Sequence, residues 1–295
     1  MLKVIVPLGL DVEPAEGQEW NALTRTLSWK FHEVEKDEVR AVHFQLKVKG
    51  ELAVGSTFDV SCELDEDGQV KFQTPKVSVR KGTHVDQPFF VGYPDGKFHP
   101  EDAITRAEAA AVVARVKNLT DGSQKHEYAD VESGHWAFSY INKVTNAGYM
   151  VGDSNGNFRP NQPITRAELV RLVLSVRGVQ PWPFAGYDDT KGHWAQGAIG
   201  TAKELKFIDG VGEGKFLPNA STERQAAAKL FDVALFRGPL KDGAVPVVQH
   251  FPDVTPKDWS FGWVEEAVVV AHEAEHKGVG IERLIRYLPN QTKQM

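Results

Sequence analysis

Three stretches, FFVGYPDGKFHP (Phe89 to Pro100), YMVGDSNGNFRP (Tyr149 to Pro160) and FIDGVGEGKFLP (Phe207 to Pro218), align without a gap and share two glycines, a phenylalanine and a proline. Ten residues past the second glycine of each copy (Gly96, Gly156, Gly214) stands an arginine: Arg106, Arg166 and Arg224. Thirty residues before the second and third of these lies a tryptophan, Trp136 and Trp194, each preceded by histidine. So many agreeing spacings mark an internal repeat, and the repeat decides how this half of the chain is read.

Copies two and three are complete, opening with YADVESGHWAFSYI and YDDTKGHWAQGAI, whereas nothing similar precedes Phe89. The missing front half stands at the other end as FPDVTPKDWSFGWVEEAV, Phe251 to Val268, with Trp259 in the position of Trp136. Two whole units, one back half and one front half make three. The expected fold of 89–295 is therefore an all-α, pseudo-threefold ring in which the last front half completes the first back half, because an open stack would leave an apolar end needing a cap. Its parts are the back half of repeat one, 89–118, repeat two, 128–178, repeat three, 187–238, and the closing front half, 251–275.

Residues 1–82 have a different texture. Runs rich in Val, Phe and Thr (26–31, 39–48, 56–64, 70–72 and 76–80) alternate apolar and polar residues between Gly and acidic turns, which predicts strands. In Val39 to Val48, a period of two places Val42, Phe44, Leu46 and Val48 on one face, so a sheet with one buried side and an all-β sandwich are expected. Residues 83–88 are read as the linker.

The composition agrees with two packed parts: 295 residues, 41% hydrophobic and 25% charged, too long for one small module and too apolar for a disordered chain. A net charge of −6 with no basic stripe argues against nucleic acid as a partner. No apolar run approaches the roughly 20 residues that span a bilayer. The single cysteine, Cys62, has no partner for an internal disulfide and reads as a small buried hydrophobe. MLKVIVPLGLDVEP lacks the features of a secretory signal, which leaves either a protein that is not exported or a piece of a longer one.

With Asp130, His135, Trp136 and Ile141 in the front half, and Gly92, Tyr93, Asp95, Gly96, Phe98, Pro100 and Ile104-Thr105-Arg106-Ala107-Glu108 in the back half, the repeat resembles the S-layer homology family over about 85–275. The resemblance implies a trimer of repeats acting as a noncovalent cell-wall anchor. Its inter-repeat grooves would bind an anionic secondary cell-wall polysaccharide, typically through a pyruvylated sugar, placing the protein at the cell surface. It implies no enzyme activity, cofactor or metal. More weakly, PLGLDVEP, TLSWKF and VRAVHFQLKVKG resemble the later strands of immunoglobulin-like tandem repeats of bacterial surface proteins. The opening strands of such a sandwich are absent, so the chain is expected to be the C-terminal piece of a larger surface protein.

The residues suit that task. Thr105 to Glu108 and Thr165 to Glu168 fit capping boxes, each starting a helix. Free N–H groups at the positive end of a helix favour an anion, and the adjoining Arg106 or Arg166 offers a planar fork for a carboxylate such as a ketal-linked pyruvate. An arginine in a first turn opposes the helix dipole, so its repeated use points to a ligand. Gly92, Gly96, Gly152 and Gly156 allow close approach and tight turning beside a sugar. Trp136, Trp194 and Trp259 could stack on a sugar, but each opens an apolar helix, which favours core packing.

In the third copy, the gapless register keeps Arg224 in line but puts Glu223 at the cap and Ala226 where the Glu belongs; a shift by one would recover a Thr222/Gln225 box at the expense of burying Lys229. The gapless register is preferred, and the third groove, with Glu223 nearby, is expected to bind an anion worst. Asp153 to Asn157 superficially resembles a calcium loop but lacks the later bidentate Glu. The competing reading is a zinc-dependent hydrolase built on His272-Glu273-Ala274-Glu275-His276, with His272 and His276 as ligands and Glu273 activating water; its third ligand, Glu282, follows only after a glycine break.

Overall fold

A computed structural model describes residues 1–31, 42, 44–49, 57–74, 77–80, 82–122, 127–183, 185–268, 270–276 and 282–293. The chain divides into two units, Met1–His84 and Val85–Met295.

In the first unit the strands are β1 (Leu2–Ile5), β2 (Leu10–Val12), β3 (Glu19–Asn21), β4 (Thr26–Trp29), β5 (Leu46–Val48), β6 (Thr57–Val60), β7 (Cys62–Glu66), β8 (Gln69–Gln73) and β9 (Val77–Arg80). A five-stranded sheet has the order β3-β4-β1-β7-β8, with Leu2 opposite both Trp29 and Leu64; β2 pairs with β5 and β6 with β9 as separate antiparallel ladders. Val4, Val6, Leu10, Leu27, Trp29 and Val60 form the core, and Val42, Phe44, Leu46 and Val48 pack against it with the half-buried Cys62. Of the long strand expected at 39–48, only Leu46–Val48 is a strand, while 39–41 and 43 lie outside the described residues, as do Ser56 and Lys76.

β10 (Thr83–Asp86) lies within the expected linker, its last two residues belonging to the second unit. The repeat helices follow: α1 (Arg106–Val116), α2 (Phe138–Asn146), α3 (Arg166–Arg177), α4 (Gln196–Glu204), α5 (Arg224–Ala234) and α6 (Phe261–Ala267), with β11 (Leu240–Lys241) between the last two and β12 (His272–His276) and β13 (Glu282–Tyr287) after them. Each back-half helix packs on the front-half helix that follows it: α1 on α2, α3 on α4, α5 on α6. At the centre, three backbone hydrogen bonds form a closed cycle. Ile104 N donates to Thr222 O, Thr222 N to Ile164 O and Ile164 N to Ile104 O, at 2.9, 3.2 and 3.0 Å. Buried Phe98, Phe158 and Phe216, one per copy, lie in the common core.

A second threefold set joins each front half to a loop. Asp130, Asp189 and Asp253 each accept two backbone N–H bonds, from Phe158 and Arg159, from Phe216 and Leu217, and from Phe98 and His99, at 2.7–3.0 Å. Arg159, Leu217 and His99 all have left-handed φ, of 58°, 57° and 55°, a conformation unfavourable for residues with a Cβ and held here by the paired carboxylate. The last set joins the chain's closing front half to its first back half. Phe89 N and Phe90 N donate to Ala267 O, each at 2.9 Å, on the same seam.

The expected division into an all-β part and an all-α part is overturned. The second unit supplies β11, β12 and β13 to a four-stranded sheet of order β10-β12-β13-β11, and the strands β1 to β9 form three sheets rather than the two of an immunoglobulin-like sandwich. The chain is a mixed helix-and-sheet protein. The reason lies in residues 272–287: His272, Ala274, Glu282 and Leu284 are buried and alternate with more exposed neighbours, the period of a strand, but two of the four inward residues are polar. A hydrophobic pattern search passes over such a strand.

Candidate functional site: three inter-repeat grooves

Both capping boxes form. Thr105 and Thr165 accept from the backbone N–H of Glu108 and Glu168 at 3.2 Å, and each Glu carboxylate accepts from its Thr backbone N–H at 2.7 and 2.8 Å. α5 starts at Arg224 with Glu223 as a cap that makes no side-chain bond to the helix, so the chain takes the gapless register; Thr222, the alternative cap, leaves its hydroxyl without a partner.

The arginine beside each box does not serve its own helix. Arg106 extends to the loop of repeat two, donating from Nε to Phe158 O at 2.8 Å and from a terminal nitrogen to Val151 O at 2.9 Å, with its guanidinium over the Phe158 ring. Arg166 does the same to repeat three, through Phe216 O at 2.8 Å and the Phe216 ring. Arg224 closes the cycle on repeat one through Phe98 O and Val91 O, both at 2.9 Å. Burial pulls the Arg106 and Arg166 guanidinium groups below their ordinary pKa, the mark of charges held partly out of water, though an arginine stays cationic.

These reaches build three equivalent grooves. Each has one wall from a loop and helix of a back half, an arginine from the preceding copy at its floor, and a tryptophan from the following front half at its rim. The first groove, about 560 Å³, holds Gly92, Tyr93, Thr105, Glu108, Arg115, Trp136 and Arg224. The second, about 270 Å³, holds Arg106, Val151, Glu168, Arg171 and Trp194. The third, about 150 Å³, holds Arg166, Asp209, Ala226, Lys229 and Trp259.

Thr165 caps α3 outside the set lining the second groove. Gly92 and Gly152 are required from inside the fold, since a Cβ there would clash with the rings of Phe251 and Tyr128. Gly96 and Gly156 turn the loop with φ of 79° and 77°. Contrary to the expectation of core packing, Trp136, Trp194 and Trp259 are 57%, 64% and 57% exposed; the buried alanines behind them, Ala137 and Ala195, take the core positions.

The grooves differ in charge. In the first, Arg224 is only 3% exposed and its remaining nitrogen pairs with Glu108 at 3.0 Å. Tyr93 also donates to Glu108, and desolvation together with that bond pushes its phenol pKa up to about 12. All three of that arginine's nitrogens are committed. Arg166 instead keeps both terminal nitrogens out of any hydrogen bond among the described residues, and the glutamate that would face it is replaced by Ala226. The second cations, Arg115, Arg171 and Lys229, come from later helical turns; Arg171 and Lys229 share a repeat position with different residue types, and in the first copy that position is Ala111, so repeated identities do not mark them.

A family model described as the S-layer homology domain matches residues 89–110, 127–170 and 186–228, which include the arginines Arg106, Arg166 and Arg224 of these grooves. The repeats belong to the S-layer homology family. Among curated relatives of this chain, cell surface glycoprotein 1 of Acetivibrio thermocellus is 38% identical over 186 residues, 58% of this chain and 8% of that protein. A cellulosome-anchoring protein of the same organism is 34% identical over 198 residues, 64% of this chain and 43% of its own length. An S-layer protein of Bacillus licheniformis is 32% identical over 150 residues, 49% and 17% respectively. The chain thus spans less than half of each of these relatives.

The zinc-hydrolase reading fails on geometry. His272 to His276 form a strand, in which residues four apart stand roughly 13 Å from one another, too far to share one ion. Glu273 is held by Arg286 at 2.7 Å, and the side chain of His276 lies outside the described residues. The loop that resembled a calcium site is tied by its own chain: Asp153 accepts from Asn155 N and Asn157 N and pairs with Arg159 at 2.7 Å. Among the described residues, no helix is long and apolar enough to cross a membrane.

Proposed function

We propose that this chain is held at the bacterial cell surface by its S-layer homology unit, which binds an anionic, pyruvylated secondary cell-wall polysaccharide in the inter-repeat grooves. The observation that carries the reading is the half-buried arginine at the floor of each of the second and third grooves, with donors to spare and an exposed indole at the rim. A carboxylate laid against such a guanidinium gains charge-assisted, directional hydrogen bonds in a site partly shielded from water, and an apolar sugar face can rest on the tryptophan. The names of the relatives, a cellulosome-anchoring protein and an S-layer protein, support anchoring. The earlier ranking by copy changes with the geometry: Arg224 floors the first groove, where Glu108 neutralises it, and Arg166 floors the third. The second and third grooves are the anion sites.

The test is sedimentation with purified cell walls before and after removal of their pyruvyl groups. Wild type should bind the intact walls and largely lose binding to the stripped ones, and Arg106→Ala/Arg166→Ala should fail to bind either. Equal binding by wild type and the double variant refutes the assignment.

A further inference from the structure

Where the ring closes, the second unit gathers a cluster of buried acids. Asp86 at the end of β10, Asp232 on α5, Glu266 on α6 and Glu282 at the start of β13 are each at most 7% exposed, and His272, first residue of β12, is fully buried. One guanidinium enters the cluster: Arg237 bonds Asp86 through Nε at 3.0 Å and Glu266 through a terminal nitrogen at 3.4 Å. Four carboxylates meet here, with Arg237 among them and His84 within 4.8 Å of Asp86 and Glu282. Glu282 also accepts from Gly238 N at 2.7 Å, but among the described residues both carboxylate oxygens of the fully buried Asp232 lack any hydrogen-bond partner, and the charges that bear on it are Glu266, Glu282 and Asp86, opposed by Arg237. A buried, unpaired carboxylate is among the most unfavourable features a fold can hold, so its position points to a cation.

The donor geometry is that of a metal site. One oxygen of Asp86, one oxygen of Glu266 and a ring nitrogen of His272 lie within 4.8 Å of one another, near enough for small side-chain movements to bring all three onto one ion at about 2.1 Å from each. His272 Nε2 faces Glu266 Oε2 at 2.8 Å, while Nδ1 stands 3.3 Å from Val270 O. One ring nitrogen thus faces the carboxylates while the other faces a backbone carbonyl, the placement that orients a ligating imidazole when Nδ1 carries the proton.

We propose that Asp86, Glu266 and His272 bind one divalent transition-metal ion, with zinc the ion this mixed nitrogen and carboxylate set fits, and that Asp232 supplies further negative charge beside it. The ion replaces the proton that His272 Nε2 shares with Glu266. That proton leaves to solvent, and the imidazole keeps its other proton on Nδ1, toward Val270 O. The site ties β10 and β12 to α6, the helix of the last front half, whose Ala267 carbonyl meets the first back half. It uses neither Glu273 nor His276, and its role is structural.

The experiment is equilibrium dialysis of the EDTA-treated full chain against Zn²⁺, Mn²⁺ and Ca²⁺, with Co²⁺ absorption and thermal unfolding. One zinc per chain is expected, with cobalt d–d bands and a Tm raised by about 5–10 °C at a hundredfold excess over Kd. His272→Gln should abolish binding. Asp232→Asn should weaken it about tenfold while raising the Tm of the metal-free chain, which a purely structural carboxylate would not do. Glu273→Gln and His276→Gln should bind as wild type. The proposal is overturned by the absence of saturable zinc binding at about 100 µM free ion, by loss of binding in Glu273→Gln or His276→Gln, or by calcium binding without cobalt bands. Should His272→Gln fail to fold, the cobalt spectrum of the wild type decides alone.

Discussion

At the scale of single residues, one repeat position carries three arginines with different duties. Arg224 is an internal tie: with side-chain exposures of 4% and 13%, it and Glu108 are a buried pair, and removing one partner strands the other. Arg224→Ala should therefore destabilise the chain by about 3–5 kcal/mol in urea unfolding. Arg166→Ala loses one neutral-acceptor bond and should cost about 1 kcal/mol, while weakening binding to pyruvylated walls by tenfold or more. The loop aspartates set an acid limit. Asp95 is held below the ordinary aspartate pKa of 3.8 first by the Lys97 backbone N–H and then by His99, and Asp153 first by the Asn157 backbone N–H, then by Asn155 and Arg159. A carboxylate lowered in the folded state stabilises fully above its unfolded pKa, and the contribution disappears as pH falls through the folded value. Wild type should thus lose more stability than Asp95→Asn/Asp153→Asn between about pH 4 and about pH 2, followed by circular dichroism.

At the scale of elements, the helix starts are unequal. α1 and α3 carry complete capping boxes, whereas α5 begins behind Glu223, whose carboxylate accepts from the Gln225 side chain at 2.8 Å and leaves the helix N–H groups alone. Thr165→Ala should cost about 1 kcal/mol and Glu223→Ala close to nothing, measured side by side in denaturant. The missing box also opens the third groove: with Ala226 in place of a glutamate, Arg166 meets no carboxylate like the one that occupies Arg224. A loss of helix capping and a gain of free cation follow from the same pair of substitutions. Lys229, which the alternative register would have buried, instead reaches Asp209 at 3.1 Å on the groove wall.

At the scale of the whole second unit, closure is the organising fact. The carboxylates of Asp130, Asp189 and Asp253 perform one task at three seams, and only Asp253 does so across a sequence separation of more than 150 residues. If the ring is closed, Asp253→Ala should destabilise as much as Asp130→Ala, by about 2–4 kcal/mol for two charge-assisted bonds, in a single cooperative thermal transition. An open stack would instead show a mild, local effect for Asp253→Ala and a broadened transition.

What the sequence by itself determined is the repetition: the glycine loops, the capping boxes at Thr105 and Thr165, the arginine positions, and a front half displaced to the C-terminus. Those are local and periodic properties, and spacing alone reveals them. Only the tertiary structure decided which repeat each arginine serves. Thr105, Arg106 and Glu108 are neighbours in sequence, yet Glu108 lines the first groove and Arg106 the second, because adjacent residues at a helix start point in different directions and the ring brings a different copy to each. The C-terminal sheet was hidden for a related reason. Its strands bury His272 and Glu282, and a polar residue reads as inward-facing only when the partners that satisfy it, here Glu266 and the Gly238 backbone, have been folded against it.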